Sequence, residues 1–159
     1  MVTNDLMLNG GFETAGGGGA DVFANWSEST AGTSTINQDA AVFFSGAKSC
    51  RLDVDAGNQS ARVYQDINIT AGESYRFRSV GKVSTSGKEG GILLYDNKPS
   101  YWNFTTHAWQ AAAAYYIVDS TGFKIIEEIV VAESGSTTIQ SSCQEYSAAS
   151  ASIWYDEVS

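Results

Sequence analysis

The feature that most narrows the fold of this chain is its alternation of apolar and polar residues. Between residues 49 and 55, Cys50, Leu52 and Val54 fall on one side and Arg51, Asp53 and Asp55 on the other. Between 61 and 69, Val63, Gln65, Ile67 and Ile69 share a face. A period of two puts successive side chains on opposite faces of a strand, so each segment has one dry and one wet side. Residues 75–83 repeat the pattern, with Tyr75 and Phe77 opposed to Arg76 and Arg78. Further strands are expected at 6–8, as a short edge strand, and at 23–28, 33–37, 90–95, 123–131, 136–143 and 152–158. Residues 111–118 contain four alanines, which allow a helix, but Tyr115, Tyr116, Ile117 and Val118 favour a strand. The glycines at 16–19 read as a surface loop and residues 96–100 as a turn. No amphipathic helix and no internal repeat is visible. About ten strands with glycine turns predict an all-β jelly-roll β-sandwich of two antiparallel sheets, filling residues 1–159 as one domain.

The two ends of the chain carry matching chemistry. Asn9-Gly10-Gly11-Phe12-Glu13 follows the start, and Trp154-Tyr155-Asp156-Glu157-Val158 closes the sequence. An acidic residue beside a glycine pair and another inside a terminal strand suggest first and last strands that meet. Two carboxylates with glycine-exposed carbonyls are a suitable donor set for Ca²⁺.

These landmarks resemble the β-sandwich carbohydrate-binding modules of families 4, 9, 16 and 22, in the galactose-binding-like group. The resemblance rests on an ordered set. It runs from the Asn9–Glu13 turn and Trp26 through Ser45-Gly46-Ala47-Lys48-Ser49 with its following apolar strand. It continues with Tyr64-Gln65-Asp66-Ile67-Asn68-Ile69, Ala71-Gly72 and Tyr75-Arg76-Phe77, and ends on Trp154–Val158. It implies a structural Ca²⁺ held by the side chains of Glu13 and Asp156 and the backbone carbonyls of Gly11, Ser45 and Lys48. It also implies a core role for Trp26 and Trp154. The chain departs from the xylan- and glucan-binding members at residues 57–62. No aromatic occurs there before Tyr64, which puts the family's groove ligands in doubt for this chain.

Charge and composition limit the partners. A net charge of −9 opposes nucleic acid, which needs a Lys/Arg surface, and opposes adhesion to an anionic membrane. No apolar run approaches the ~20 residues of a membrane-spanning helix, so membrane insertion is not expected. Residues 1–8 have no basic start, apolar centre or cleavage site. Either a leader has been removed, leaving an extracellular protein, or the protein leaves its cell by lysis and sits on a virion surface. Cys50 and Cys143 are both in phase with apolar neighbours; a buried disulfide and two core thiols fit equally well. Asn-x-Ser/Thr triplets occur at Asn25, Asn58, Asn68 and Asn103.

Sugars are held by flat aromatic faces and planar polar side chains. The densest such stretch runs from 95 to 109, and Tyr95, Asn97, Tyr101, Trp102 and Trp109 are the expected ligand-binding residues. The alternative for Trp102 and Trp109 is to cover one end of the sandwich. A concave sheet face bearing Arg76, Arg78, Gln144 and Tyr146 is a second candidate. Catalysis is not expected. The one histidine, His107, lies in no nucleophile, zinc or phosphate motif. Glu127 and Glu128 are adjacent on a strand and so point to opposite faces, unlike a glycosidase pair. Two functional readings follow: a Ca²⁺-stabilised, non-catalytic glycan-binding module, or a bacteriophage decoration or fibre domain contacting capsid or host glycans.

Overall fold

The computed structural model describes residues 5–19, 21–55, 60–145 and 150–159. Among these described residues there are fourteen strands and no helix. These are β1 (Ala15–Gly18), β2 (Asp21–Phe23), β3 (Ser27–Ala31), β4 (Thr35–Asp39), β5 (Ser49–Val54), β6 (Ser60–Asn68) and β7 (Ser74–Val83). They continue as β8 (Gly90–Asp96), β9 (Ser100–Asn103), β10 (Ala108–Gln110), β11 (Tyr116–Val118), β12 (Lys124–Val131), β13 (Thr138–Glu145) and β14 (Ala151–Asp156). The expected antiparallel β-sandwich is present, with more strands than anticipated. One sheet runs β10-β9-β8-β13-β6-β3, with β11 also on β8; the other runs β12-β7-β14-β5-β4; β1 and β2 form a hairpin of their own.

Alternation drives the packing. The inward residues of β5 (Cys50, Leu52, Val54) and β14 (Ile153, Tyr155) meet those of β6 (Ala61, Val63), β8 (Ile92, Leu94) and β13 (Ile139, Cys143) in one core. Removing such side chains from water supplies about 1.5–3 kcal/mol each. Cys50 and Cys143 are both fully buried and unpaired. Burial pushes the Cys143 thiol up to about 12, against a hydrogen bond with Ser79. They behave as small core hydrophobes, not as ligands or nucleophiles.

Three segments differ from expectation. Residues 6–8 form no strand. Gln65, buried on the core side of β6, accepts from the N–H of Leu8 (2.8 Å) and donates to its carbonyl (3.0 Å), so a side chain replaces the ladder. The glycines at 16–18 belong to β1, and Gly16 packs so closely on Asp21 that a Cβ would lie 2.0 Å from its Oδ1. The segment 100–110, without clear alternation, forms the β9–β10 hairpin, with Trp102 paired to Trp109.

The ends do meet, although through a turn. Val158 N–H donates to Gly10 O (3.0 Å), and a Cβ at Gly10 would lie 1.8 Å from the Val158 carbonyl oxygen. Only glycine admits so close a backbone approach.

Candidate functional site

The Asn9–Glu13 turn is locked by Asn9, whose Nδ2 donates to Thr14 O (2.8 Å) and Ala24 O (3.0 Å). Phe12 is fully buried against Phe23 (5.0 Å) and Trp26 (4.8 Å). This anchoring leaves Gly11 and Glu13 facing the end of β14. A Cβ on Gly11 would lie 3.7 Å from Glu13 Cγ and 3.9 Å from Asp156 Oδ1. The loop between β4 and β5 comes to the same place. Asp156 Oδ2 accepts from the N–H groups of Phe44 (2.8 Å) and Ser45 (3.1 Å), and Oδ1 from that of Glu157 (2.8 Å). Glu13 Oε1 accepts from Ala47 N–H (2.7 Å) and Lys48 N–H (3.1 Å). Gly46 has φ +67°, and a Cβ there would meet Glu13 Oε1 at 2.0 Å.

Gly11, Glu13, Ser45, Lys48 and Asp156 are therefore brought to one place. The two carboxylates gather loop N–H groups, while the Lys48 ammonium donates to Glu13 O (3.3 Å). Asp156 is fully buried. Its burial pushes the carboxyl above the ordinary aspartate value, against the N–H bonds that hold it down. Neighbouring Glu157 is held below its ordinary value by a Ser45 hydrogen bond and by the Arg78 guanidinium, with burial opposing. Among the described residues, no group of three or more His, Cys, Asp or Glu is arranged to hold a metal. Any ion here would depend on backbone carbonyls as well.

The aromatic stretch divides between the two sides of its sheet. Trp102 is 2% exposed, in the core, against Trp109 (5.4 Å). Trp109 is half-buried and donates from Nε1 to Val131 O (2.7 Å) on the opposite sheet. These two tryptophans close one end of the sandwich. Asn97 ties the β8–β9 turn to the segment before β13, donating to Thr137 Oγ1 (2.9 Å) and accepting from Thr137 N–H (3.1 Å). Tyr95 and Tyr101 take the other parity. They are cross-strand partners, half-buried on the outer face, with ring centroids 5.0 Å apart at 44°.

Register extends that pair into a row. Gln110 lies beside Tyr101, Tyr101 beside Tyr95, Tyr95 beside Gln140, and Gln140 beside Asp66. At ~4.8 Å per strand the row spans about 19 Å. Gln140 donates to Asp66 (2.9 Å) and Asn103 to Gln110 (2.7 Å), fixing two planar polar groups on the same face. Tyr64 lies on this face under the Arg62 guanidinium, 4.7 Å from its ring centroid. Gln140, Gln110 and Asp66 escaped the sequence reading because strand neighbours are not visible along a chain.

The second expected surface is not one surface. Gln144 is on this seven-stranded sheet, but Arg76 and Arg78 are on β7 of the other sheet, where both pair with Glu127. Tyr146 lies outside the described residues, as does Asn58 with residues 57–59 of the stretch before Tyr64. Trp26 is in the core, as expected, whereas Trp154 is half-buried on the outer face of β14, donating to Asp39 Oδ2 (2.9 Å). Glu127 and Glu128 do take opposite faces: Glu128 meets His107 Nδ1 at 3.0 Å.

Comparison with known proteins bears on the fold. No protein-family model matches the chain, and no curated protein matches it. Among solved structures, a family 4 carbohydrate-binding module matches at TM-score 0.60 and 14% identity, over 96% of each chain. TmCBM61, solved in complex with β-1,4-galactotriose, matches at 0.59 and 19%, over 98% of this chain and 97% of that one. The enzymatically active domain of tailspike protein 4 from bacteriophage CBA120 matches at 0.67 and 18%, over 96% of this chain but 20% of that one. The chain thus has the galactose-binding-like β-sandwich fold found in carbohydrate-binding modules of several families.

Proposed function

We propose that this chain is a non-catalytic, extracellular glycan-binding module that lays a sugar chain across the outer face of its seven-stranded sheet. The carrying observation is the row Asp66–Gln140–Tyr95–Tyr101–Gln110. Two tyrosine rings offer apolar faces to pyranose C–H groups, and amides and a carboxylate beside them pair with hydroxyls. Trp102, Trp109 and Asn97 act beneath and beside the row, setting the β8–β9–β10 geometry. Modules of the same fold supply the context, one of them solved with a galactotriose. A glycan array tests the reading. Selective binding that Tyr95→Ala/Tyr101→Ala abolishes, with the melting temperature kept, supports it; binding unaffected by that pair contradicts it.

The cluster at the chain ends fits a Ca²⁺ ion in its chemistry. Its donors are hard oxygens, Gly11 leaves the space between them open, and buried Asp156 takes part in none of the ion pairs among the described residues. Glu13 and Asp156 would hold the ion with the carbonyls of Gly11, Ser45 and Lys48. A bound cation would supply the positive charge that fastens loop 40–48 to β14. Chelator should then lower the melting temperature, and Asp156→Ala should remove that response. At a hundredfold excess over Kd, ion binding stabilises by roughly 3 kcal/mol.

A second reading follows from the tailspike domain, whose likeness covers 96% of this chain. In it the same module is one unit of a virion protein, and its glycan face serves host attachment or its surface meets other capsid parts. Genomic neighbourhood separates the two: virion structural genes support this reading, a fused catalytic domain the first.

A further inference from the structure

The outer face of the five-stranded sheet, opposite the tyrosine row, carries a different kind of surface. Register sets Asn37 beside Arg51, Arg51 beside Trp154, and Trp154 beside Lys82. Phe123, just before β12, completes this row next to Lys82. The Lys82 ammonium sits 5.3 Å from the Trp154 ring centroid and 5.5 Å from that of Phe123. Phe44, 40% exposed, packs edge-on against Phe123 at 5.7 Å.

Charge on this face is asymmetric. Arg51, Arg76, Arg78 and Lys82, four of the nine Lys and Arg in the chain, occupy outward positions here. The three arginines are neutralised by Asp39, Asp53, Glu127 and Glu157. Lys82 takes part in none of the ion pairs among the described residues. Its ammonium is held over two aromatic rings, and the residue is half-buried. A chain of net charge −9 had many acidic residues to place beside it.

We propose that this face is a second saccharide subsite, selective for a sugar ring bearing an anionic group, carboxylate or sulfate. The Trp154 indole and the Phe123 ring take the apolar side of the pyranose, and Lys82 pairs with the anion. Partial desolvation between the rings strengthens that pairing relative to an exposed lysine. Arg51 and Asn37 lie one and two strands beyond Trp154, within reach of hydroxyls on a neighbouring sugar. The subsite is independent of the tyrosine row, because it lies on the other sheet.

The test is affinity electrophoresis or calorimetry of the full chain with polygalacturonate, dextran sulfate and a neutral xylan. Wild type, Lys82→Gln, Phe123→Ala and Tyr95→Ala/Tyr101→Ala are compared, with melting curves as the folding control. The expected result is binding of polygalacturonate or dextran sulfate that weakens at least tenfold in Lys82→Gln and in Phe123→Ala, falls with added salt, and survives the tyrosine pair. Preference between the two probes identifies carboxylate or sulfate as the recognised anion. Failure to bind either polyanion, or binding that Lys82→Gln leaves unchanged, overturns the proposal. Loss of neutral-glycan binding in the tyrosine pair alone reports on the other face and leaves this one to its own variants.

Discussion

At the scale of single residues, tyrosines and tryptophans of one short stretch have separate duties. Trp102→Ala removes a core side chain and should cost about 3–5 kcal/mol, read as a lower melting temperature. Tyr95→Ala and Tyr101→Ala should leave the melting temperature nearly unchanged and affect ligand binding instead. Gly10→Ala should destabilise although the residue touches no ligand, because its Cβ would lie 1.8 Å from Val158 O. A clash that forces backbone to move costs about 2 kcal/mol, or roughly 4–8 °C for a domain of this size. The sequence marked Gly10 and Glu13 through their local pattern, and marked Asp156 through its place in a terminal strand. It could not show that Trp102 points inward and Tyr101 outward. Alternation sets opposite parities for neighbours but not which parity is wet, and here both residues are aromatic.

At the scale of elements, the β9–β10 hairpin is the piece on which the tyrosine row depends. It crosses from the seven-stranded sheet to β12 of the other, held by Trp109 on Val131 O and by His107 on Glu128. Trp109→Phe keeps the ring but loses the indole donor. It should loosen the hairpin, seen as faster amide exchange at residues 101–110, and weaken glycan binding severalfold through misplacement of Tyr101. Unchanged exchange would show that packing alone holds the hairpin. Strands such as β5 and β6 were legible because their alternation persists over six or more residues. β1, β9 and β10 were not: each is three or four residues long, β1 is glycine-rich, and β9 carries an aromatic on each face. The pairing of β8 with β9 and β13, which assembles the row, is a long-range fact with no local signature.

At the scale of the whole molecule, the two chain ends converge on a carboxylate cluster whose protonation links folding to pH. Burial raises the Asp39 carboxyl, but hydrogen bonds from Trp154, Ala41, Val42 and Arg51 outweigh it and leave the group lowered. Glu157 is lowered too. Both contribute stability that is present above the unfolded carboxylate range, near pH ~4, and lost as pH falls through their folded values. Asp156 has the opposite sign. Its raised value means that the folded state binds the proton more readily, so its ionisation costs stability as pH rises through that value. In the Ca²⁺ reading proposed above, a bound cation would reverse this cost and compete with the proton. The gain in melting temperature from millimolar Ca²⁺ should therefore be largest at pH 7 and shrink as pH approaches about 4; a gain independent of pH would contradict Asp156 as a ligand. The central claim, however, concerns the sugar, and the most direct measurement is backbone and aromatic NMR of the full chain titrated with the array-selected oligosaccharide. Shifts concentrated at Tyr64, Tyr95, Tyr101, Gln110 and Gln140 are the predicted result. Shifts confined to other surfaces, with this row silent, would contradict the account.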